Sequence, residues 1–205
     1  MRIWKRLMLG TLVALASSHA AEAQNLLTNG DFDAGAGLAD WSWGPGALAL
    51  GADAGSCLLS DSAAATSGAA SGNQYFAMYS GQCIPVDPTV TPVLFLGALY
   101  RTTAEVWARL FLQMFTDGAC ASFHGYGGGH FGATSANWNA VGGLVPIPPE
   151  VHSFHVTADF NPMVAGNPPF TGSFDRFYVG VLPQIFVDGF EEESGSACPW
   201  SSQVP

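Results

Sequence analysis

The run TAEVWARLFLQMF, residues 103–115, alternates with a period of two. Val106, Ala108, Leu110, Leu112 and Met114 fall on one side, and Trp107, Arg109, Phe111, Gln113 and Phe115 on the other. Successive side chains of an extended chain point to opposite faces, so the pattern predicts a strand with one buried side. A helix is the rival, because Ala, Glu, Leu and Arg favour it, yet no stripe at a 3.6-residue period is as clean. The same reading applies to VHSFHVTADF, 151–160, where Phe154, Val156, Ala158 and Phe160 share a face opposite Ser153, His155, Thr157 and Asp159. In FDRFYVGVL, 174–182, Phe177, Val179 and Val181 form an apolar face that leaves Arg176 and Tyr178 opposite. NQYFAMY, 73–79, and PVLFLGALY, 92–100, supply two further short runs.

Twenty-five glycines and thirteen prolines punctuate these runs throughout the chain. Short apolar runs separated by turn-forming residues predict an all-β protein, a two-sheet antiparallel β-sandwich of jelly-roll type. Two stretches read as loops. Residues 51–72, GADAGSCLLSDSAAATSGAASG, are small and polar, and residues 125–137, GYGGGHFGATSAN, are glycine-rich. The second has a look of GxGxxG, but no strand-helix-strand context surrounds it, which argues against a nucleotide site.

The chain ends add compartment and charge. Arg2, Lys5 and Arg6 precede the apolar run LMLGTLVALA, and Ala21-Glu22-Ala23 places small residues where a signal peptidase reads them. Residues 1–23 are therefore expected to be a signal peptide, the run being about ten residues where a membrane span needs roughly 20. Cleavage would leave three arginines, Arg101, Arg109 and Arg176, against fifteen acidic residues, a balance of −12 with no lysine. Phosphate backbones and anionic lipid would repel such a chain, so nucleic acid and membrane surfaces are excluded as partners in favour of neutral ligands or cations. Cys57, Cys83, Cys120 and Cys198 all lie in the exported part, where an even count suggests two disulfides among three pairings. Cys83 leads into one strand region and Cys120 closes another, which favours Cys83–Cys120 and, by default, Cys57–Cys198.

The stretch QNLLTNGDFDAGAGLADWSWG, 24–44, opens the expected mature chain on N-L-hydrophobic-x-N-G-D-F-D followed by a Trp-rich segment. It resembles carbohydrate-binding modules of the family 4/9 type and their relatives with galactose-binding-like jelly-roll folds. The resemblance continues in order through SGNQYFAMYSGQCIPV, YRTTAEVWARLFLQMFTDGAC, VPIPPEVHSFHVTADF and FDRFYVGVL. It implies a non-catalytic, glycan-binding module in which the tryptophan after the opening turn, Trp41 or Trp43, plugs the sandwich. Relatives hold a structural calcium at acidic positions, which implies Asp31 and Asp33 as the candidates here. Val179-Gly180 replace the family's acidic pair, and a hard cation wants six or more oxygens, so this donor set is thin. The end, IFVDGFEEESGSACPWSS, resembles the D-G-F-E-S-G tail of many exported bacterial proteins. The domain organisation expected is a signal peptide at 1–23, a sandwich at 24–183 and an acidic tail at 184–205.

A sugar site on such a fold presents aromatic rings to the apolar faces of saccharides and polar side chains to their hydroxyls. The face carrying Trp107, Arg109, Phe111 and Gln113 has this mixture, as do Arg176 and Tyr178. Tyr126 and Trp138, beside the glycine run, are candidates borne on a loop. Catalytic patterns are lacking: His152 and His155 are spaced to opposite faces, His124 and His130 have no carboxylate partner in the sequence pattern, and Glu105 and Glu150 are the only glutamates between leader and tail. The sequence therefore predicts a secreted, non-enzymatic glycan-binding module. The rival is a structural or adhesive surface protein of the same fold, in which Trp107 and Phe111 would be buried.

Overall fold

The computed structural model describes residues 25–32, 36–44, 46–51, 54, 64–67, 76–103, 105–162 and 170–181. These form eleven strands: β1 (Trp41–Gly44), β2 (Ala47–Leu50), β3 (Ala64–Ser67), β4 (Phe76–Ser80), β5 (Ile84–Pro85), β6 (Val93–Thr102), β7 (Val106–Phe115), β8 (Phe123–Gly132), β9 (Asn139–Pro146), β10 (Ser153–Pro162) and β11 (Thr171–Gly180). One sheet runs β1-β4-β10-β7-β8, with β5 beside the start of β10, and the other runs β2-β3-β11-β6-β9. Every pairing is antiparallel, and no helix occurs among the described residues. The two-sheet antiparallel sandwich read from the alternation is the observed fold.

Register explains why. β7 and β10 pair so that Leu110 lies opposite Ala158, Leu112 opposite Val156 and Met114 opposite Phe154. All six are buried and point at the facing sheet. That sheet answers with Leu94, Leu96, Ala98 and Tyr100 from β6 and Phe174, Phe177 and Val179 from β11. The Phe160 and Phe174 rings stack at 4.3 Å and join β10 to β11 across the core. Burying each such side chain stabilises the fold by roughly 1.5 to 3 kcal/mol. Gly172 is fixed by the same contact, because a Cβ there would collide with the Phe160 ring.

β11 departs from simple alternation. Its register against β6 shifts between Asp175 and Tyr178, so Phe174 and Phe177 both face inward although they are three residues apart. Arg176 takes a positive φ of 51° within this bulge. Val181, read as part of the apolar face, lies beyond the end of the strand and is exposed.

The opening stretch lies along β11, with Leu26 N–H donating to Val179 O and Phe177 N–H donating to Gly30 O. Asn25 closes the join: its Nδ2 donates to Phe177 O, and its Oδ1 accepts the Val179 N–H at 3.0 Å. At residue 30 only glycine fits, since a Cβ would press into Phe177 O. Phe32 and Trp41 then pack with Phe177 at ring separations of 6.0 and 4.8 Å. Trp41 is buried as the plug, whereas Trp43 is 40% exposed.

Both stretches read as loops contain strand. The glycine-rich run forms most of β8, because neighbouring side chains occupy the space its own would fill. A Cβ on Gly127 would meet Met114, and one on Gly132 would meet the Tyr100 ring. Tertiary packing here overrides glycine's poor strand propensity. Within 51–72, residues 64–67 form β3, which pairs with both β2 and β11. The expected signal peptide, the acidic tail, Asp33, Cys57 and Cys198 lie outside the described residues.

Candidate functional site

The outward face of the β1-β4-β10-β7-β8 sheet carries a groove of about 440 Å³, lined by Ala77, Tyr79, Arg109, Phe111, Tyr126, Gly127, Gly128, Gly129, Phe131, Thr157 and Asp159. Strand register assembles it in rows across β4, β10 and β7. Tyr79, Thr157 and Phe111 form one row, and Ala77, Asp159 and Arg109 the next, with Phe131 continuing it onto β8. His155, Gln113 and Tyr126 make a third row at one end. β8 kinks beside the groove, where its register against β7 shifts between Leu110 and Leu112 and where Gly128 and Gly129 have φ of 95° and 64°. That left-handed backbone favours glycine, and the wall it makes carries no side chain.

Two aromatic groups flank this glycine wall. Phe111 meets Tyr126 edge to face at 5.2 Å, and Tyr126 continues to Phe123 at 5.2 Å. On the other side Trp107 meets Phe131 edge to face at 5.9 Å. Tyr126, Phe131, Phe123 and Trp107 are 67%, 62%, 53% and 42% exposed, so apolar ring surface is concentrated on this face of the molecule.

The floor is polar. Arg109 Nε and Nη2 donate to the two oxygens of Asp159 in a paired, fork-like contact. Asp159 is buried and Arg109 partly so. Burial pushes the Asp159 carboxyl above its ordinary value, and the neighbouring guanidinium pulls it part of the way back. Thr157 is 1% exposed, and its hydroxyl has no hydrogen-bond partner among the described residues.

Of the residues singled out in the sequence, Arg109, Phe111 and Tyr126 line the groove, Trp107 stands at its rim through Phe131, and Gln113 lies in the row beside it. Tyr126 sits on a strand and not on a loop. Arg176 and Tyr178 are on β11, in the other sheet, and do not join this site. The Tyr178 ring packs against Phe95 at 6.3 Å, and its hydroxyl donates to Val181 O. Trp138 precedes β9 and receives the Arg101 guanidinium over its ring at 4.7 Å. The groove adds Tyr79, Phe131, Thr157 and Asp159 to the residues expected. The outward placement of Thr157 and Asp159 was visible in the alternation of β10, but which strands flank β10 was not.

The Cys83–Cys120 disulfide is present and ties the turn between β7 and β8 to the approach of β5. Asp117 organises the same turn by accepting backbone N–H groups from Ala119, Ala121 and Ser122, which lower its carboxyl to about 2. His124, without a carboxylate partner in the sequence pattern, has one in the fold: Glu150, at 3.6 Å. His130 does not meet it, because it pairs with Leu110 on the inward side and packs over Gly143, where burial pushes its imidazole below the ordinary value. Asp31 is exposed, and no group of three or more His, Cys, Asp or Glu side chains able to hold a metal occurs among the described residues. No helix among the described residues is long and apolar enough to cross a membrane.

No protein-family model and no curated protein matches this sequence. Among solved structures, the chain is similar to TmCBM61, a carbohydrate-binding module in complex with β-1,4-galactotriose, at a TM-score of 0.51 and 14% identity, over 78% of this chain and 99% of that one. It is also similar to the enzymatically active domain of bacteriophage CBA120 tailspike protein 4, at a TM-score of 0.53 and 14% identity, and to an arabinose-bound MgGH51 α-L-arabinofuranosidase, at 0.50 and 18%. It covers 77% and 76% of itself in these two matches, but spans only 21% and 26% of those longer chains. At these identities the likeness concerns the fold alone, a two-sheet β-sandwich like that of TmCBM61.

Proposed function

We propose that the protein is an exported, non-catalytic module that binds a neutral glycan in the groove of the β1-β4-β10-β7-β8 sheet. The observation that carries this reading is the pairing of exposed aromatic rings with a polar, partly buried floor in one concavity. Saccharides present C–H surface above and below the ring and hydroxyls around its edge, and this groove offers Tyr79, Phe111, Tyr126 and Phe131 to the first and Arg109 and Asp159 to the second. Arg109 spends its charge on Asp159, and the chain is strongly acidic, so a neutral ligand suits the site better than an anionic one. The similarity to a galactotriose-bound module over nearly the whole of that module supports the same reading. The Cys83–Cys120 bridge suits an oxidising compartment, in keeping with the signal peptide read from residues 1–23.

Affinity electrophoresis through gels containing soluble neutral polysaccharides, including β-1,4-galactan, xylan and β-glucan, tests the reading. The protein is expected to be retarded by at least one polymer, and Phe111→Ala is expected to weaken retardation about tenfold, equivalent to about 1.4 kcal/mol. Migration unaltered by every polymer would favour the structural or adhesive alternative.

A further inference from the structure

β8 and β9 are the last strands of their sheets and lie against each other at one side of the sandwich, with no ladder joining them among the described residues. His130 fills the join. Its ring lies flush on Gly143 of β9, where a Cβ would collide with it, and a Cβ on Gly128 would meet both this ring and Val145 of β9. The ring hydrogen-bonds the Gly143 backbone, yet Nε2 is closed off from solvent and has no hydrogen-bond partner among the described residues. In the neutral imidazole that nitrogen is an idle acceptor. In the imidazolium it would be a charged N–H with no acceptor to receive it, which costs far more.

The surroundings offer no countercharge. β9 carries no titratable side chain. On β7 His130 pairs with Leu110, whose neighbour Arg109 points to the opposite face and is held there by Asp159. Glu105 precedes β7, five residues from Leu110 and so about 17 Å away along the strand. On β8 itself, His124 meets Glu150 near the other end, and Tyr126 packs outward against Phe111. β6 brings Tyr100, whose hydroxyl donates to Ala133 O, and Arg101, which lies over Trp138. Burial therefore acts on the His130 imidazole without a carboxylate to oppose it.

β8 is also the strand built to give way. Half of its residues are glycine, and its register on β7 shifts twice. Edge strands interrupted in this way lie at the low end of local stability. The Cys83–Cys120 bridge ties down the turn that leads into β8, which leaves the His130 end as the one free to open. Gly129 and Phe131, on either side of His130 in the chain, line the groove.

We propose that His130 is an acid-sensitive latch between the two sheets: in its neutral form it holds β8 on β9, and on protonation it releases that end of β8 and the groove wall with it. The inference goes beyond the glycan reading and stands whether or not the groove binds a sugar. The opened strand takes up the proton more readily than the closed one. The latch therefore holds fully above the ordinary imidazole value of about 6.5 and is lost as pH falls below it.

Hydrogen exchange read by mass spectrometry tests this in the intact protein, with rates corrected for the intrinsic effect of pH. Between about pH 7.5 and about pH 5, β8 is expected to lose about tenfold in protection relative to β10. His130→Gln keeps a polar group but cannot titrate, so its β8 should show no such loss. On the same acidification, the wild-type melting temperature should fall about 2 to 4 °C further than that of the variant. Wild-type β8 protection that is unchanged, or that falls only in step with β10, would overturn the inference. So would a loss that persists in full in His130→Gln, which would assign it to another group. Should that variant not fold, an NMR titration of the wild-type imidazoles decides: His130 titrating below the other histidines supports the latch, and His130 titrating with or above them overturns it.

Discussion

The outward faces of the two sheets begin from the same sequence pattern and end differently. On β7, Trp107, Arg109 and Phe111 alternate with core residues; on β11, Arg176 and Tyr178 do the same beside Phe177 and Val179. The first set becomes part of a groove because β4, β10 and β8 place Tyr79, Asp159 and Phe131 beside it. The second does not, because a bulge turns the strand at Arg176 and Tyr178 is occupied by Phe95 and Val181. Nearby, Asp175 is wholly buried and accepts the Ala54 N–H, so part of that face lies beneath another segment of the chain. An aromatic and basic mixture on one strand is therefore only material for a site. The neighbouring strands decide whether it becomes one.

The largest expected effect removes what both faces share. Phe174→Ala takes away the ring that stacks on Phe160 across the core and should destabilise the protein by about 3 to 5 kcal/mol in urea titration. A loss below about 1 kcal/mol would mean that the sheets are joined elsewhere.

Cys83→Ser with Cys120→Ser opens a closure of 37 residues that braces only the groove sheet. It should cost up to about 4 kcal/mol and weaken glycan binding with it. Binding that survives intact would separate the groove from its brace.

Arg109→Met leaves the buried Asp159 carboxylate unpaired, and should cost about 3 kcal/mol near neutral pH, less than for a fully buried pair because Arg109 is partly exposed. In the folded wild type burial raises this carboxyl and the guanidinium pulls it part of the way back, so in the variant it is raised further and its protonated form favours the fold more strongly. That contribution is complete below the unfolded pKa and is lost as pH rises through the folded one. The variant's deficit should therefore shrink on acidification, and a deficit independent of pH would show that Asp159 is not the group left exposed to it.

Tyr178→Ala, on the opposite sheet, should cost about 1 to 2 kcal/mol in stability yet leave glycan affinity within about twofold, less than half of the 1.4 kcal/mol that a tenfold change represents. A tenfold loss would erase the distinction between the faces.

The smallest effect concerns Asp117. Its carboxyl, lowered to about 2 by backbone N–H donors, contributes stability above the unfolded carboxylate range, and this is lost as pH falls through about 2. Asp117→Asn should melt below the wild type at pH 7 and converge with it in strong acid. Parallel melting curves at every pH would remove this turn from the account of how β8 is held.

The inward and outward assignments on β7 and β10 were legible in the sequence, because burial on one side imposes a period of two wherever both strands are long. The opening N-L-L-T-N-G stretch was legible as a family-like start, and the structure gives it a physical role in Asn25 and Gly30 against β11. β8 was not legible. Its strand character comes from Met114, Tyr100 and Val145 occupying the space above its glycines, which is long-range packing that no local pattern contains. The groove was half legible for a related reason: alternation tells which way Thr157 and Asp159 point, but their meeting with Tyr79 and Phe111 depends on β10 lying between β4 and β7. The β11 bulge was likewise hidden, because phenylalanines three residues apart satisfy neither a strand nor a neighbouring turn pattern.

The most direct measurement is a side-by-side calorimetric titration of wild type, Tyr126→Ala and Tyr178→Ala with the neutral oligosaccharide that the wild type binds best. The account predicts saturable wild-type binding, about a tenfold loss in Tyr126→Ala, and wild-type affinity in Tyr178→Ala. Equal losses in both variants, or a loss in Tyr178→Ala alone, would contradict the assignment of the site to the β1-β4-β10-β7-β8 face.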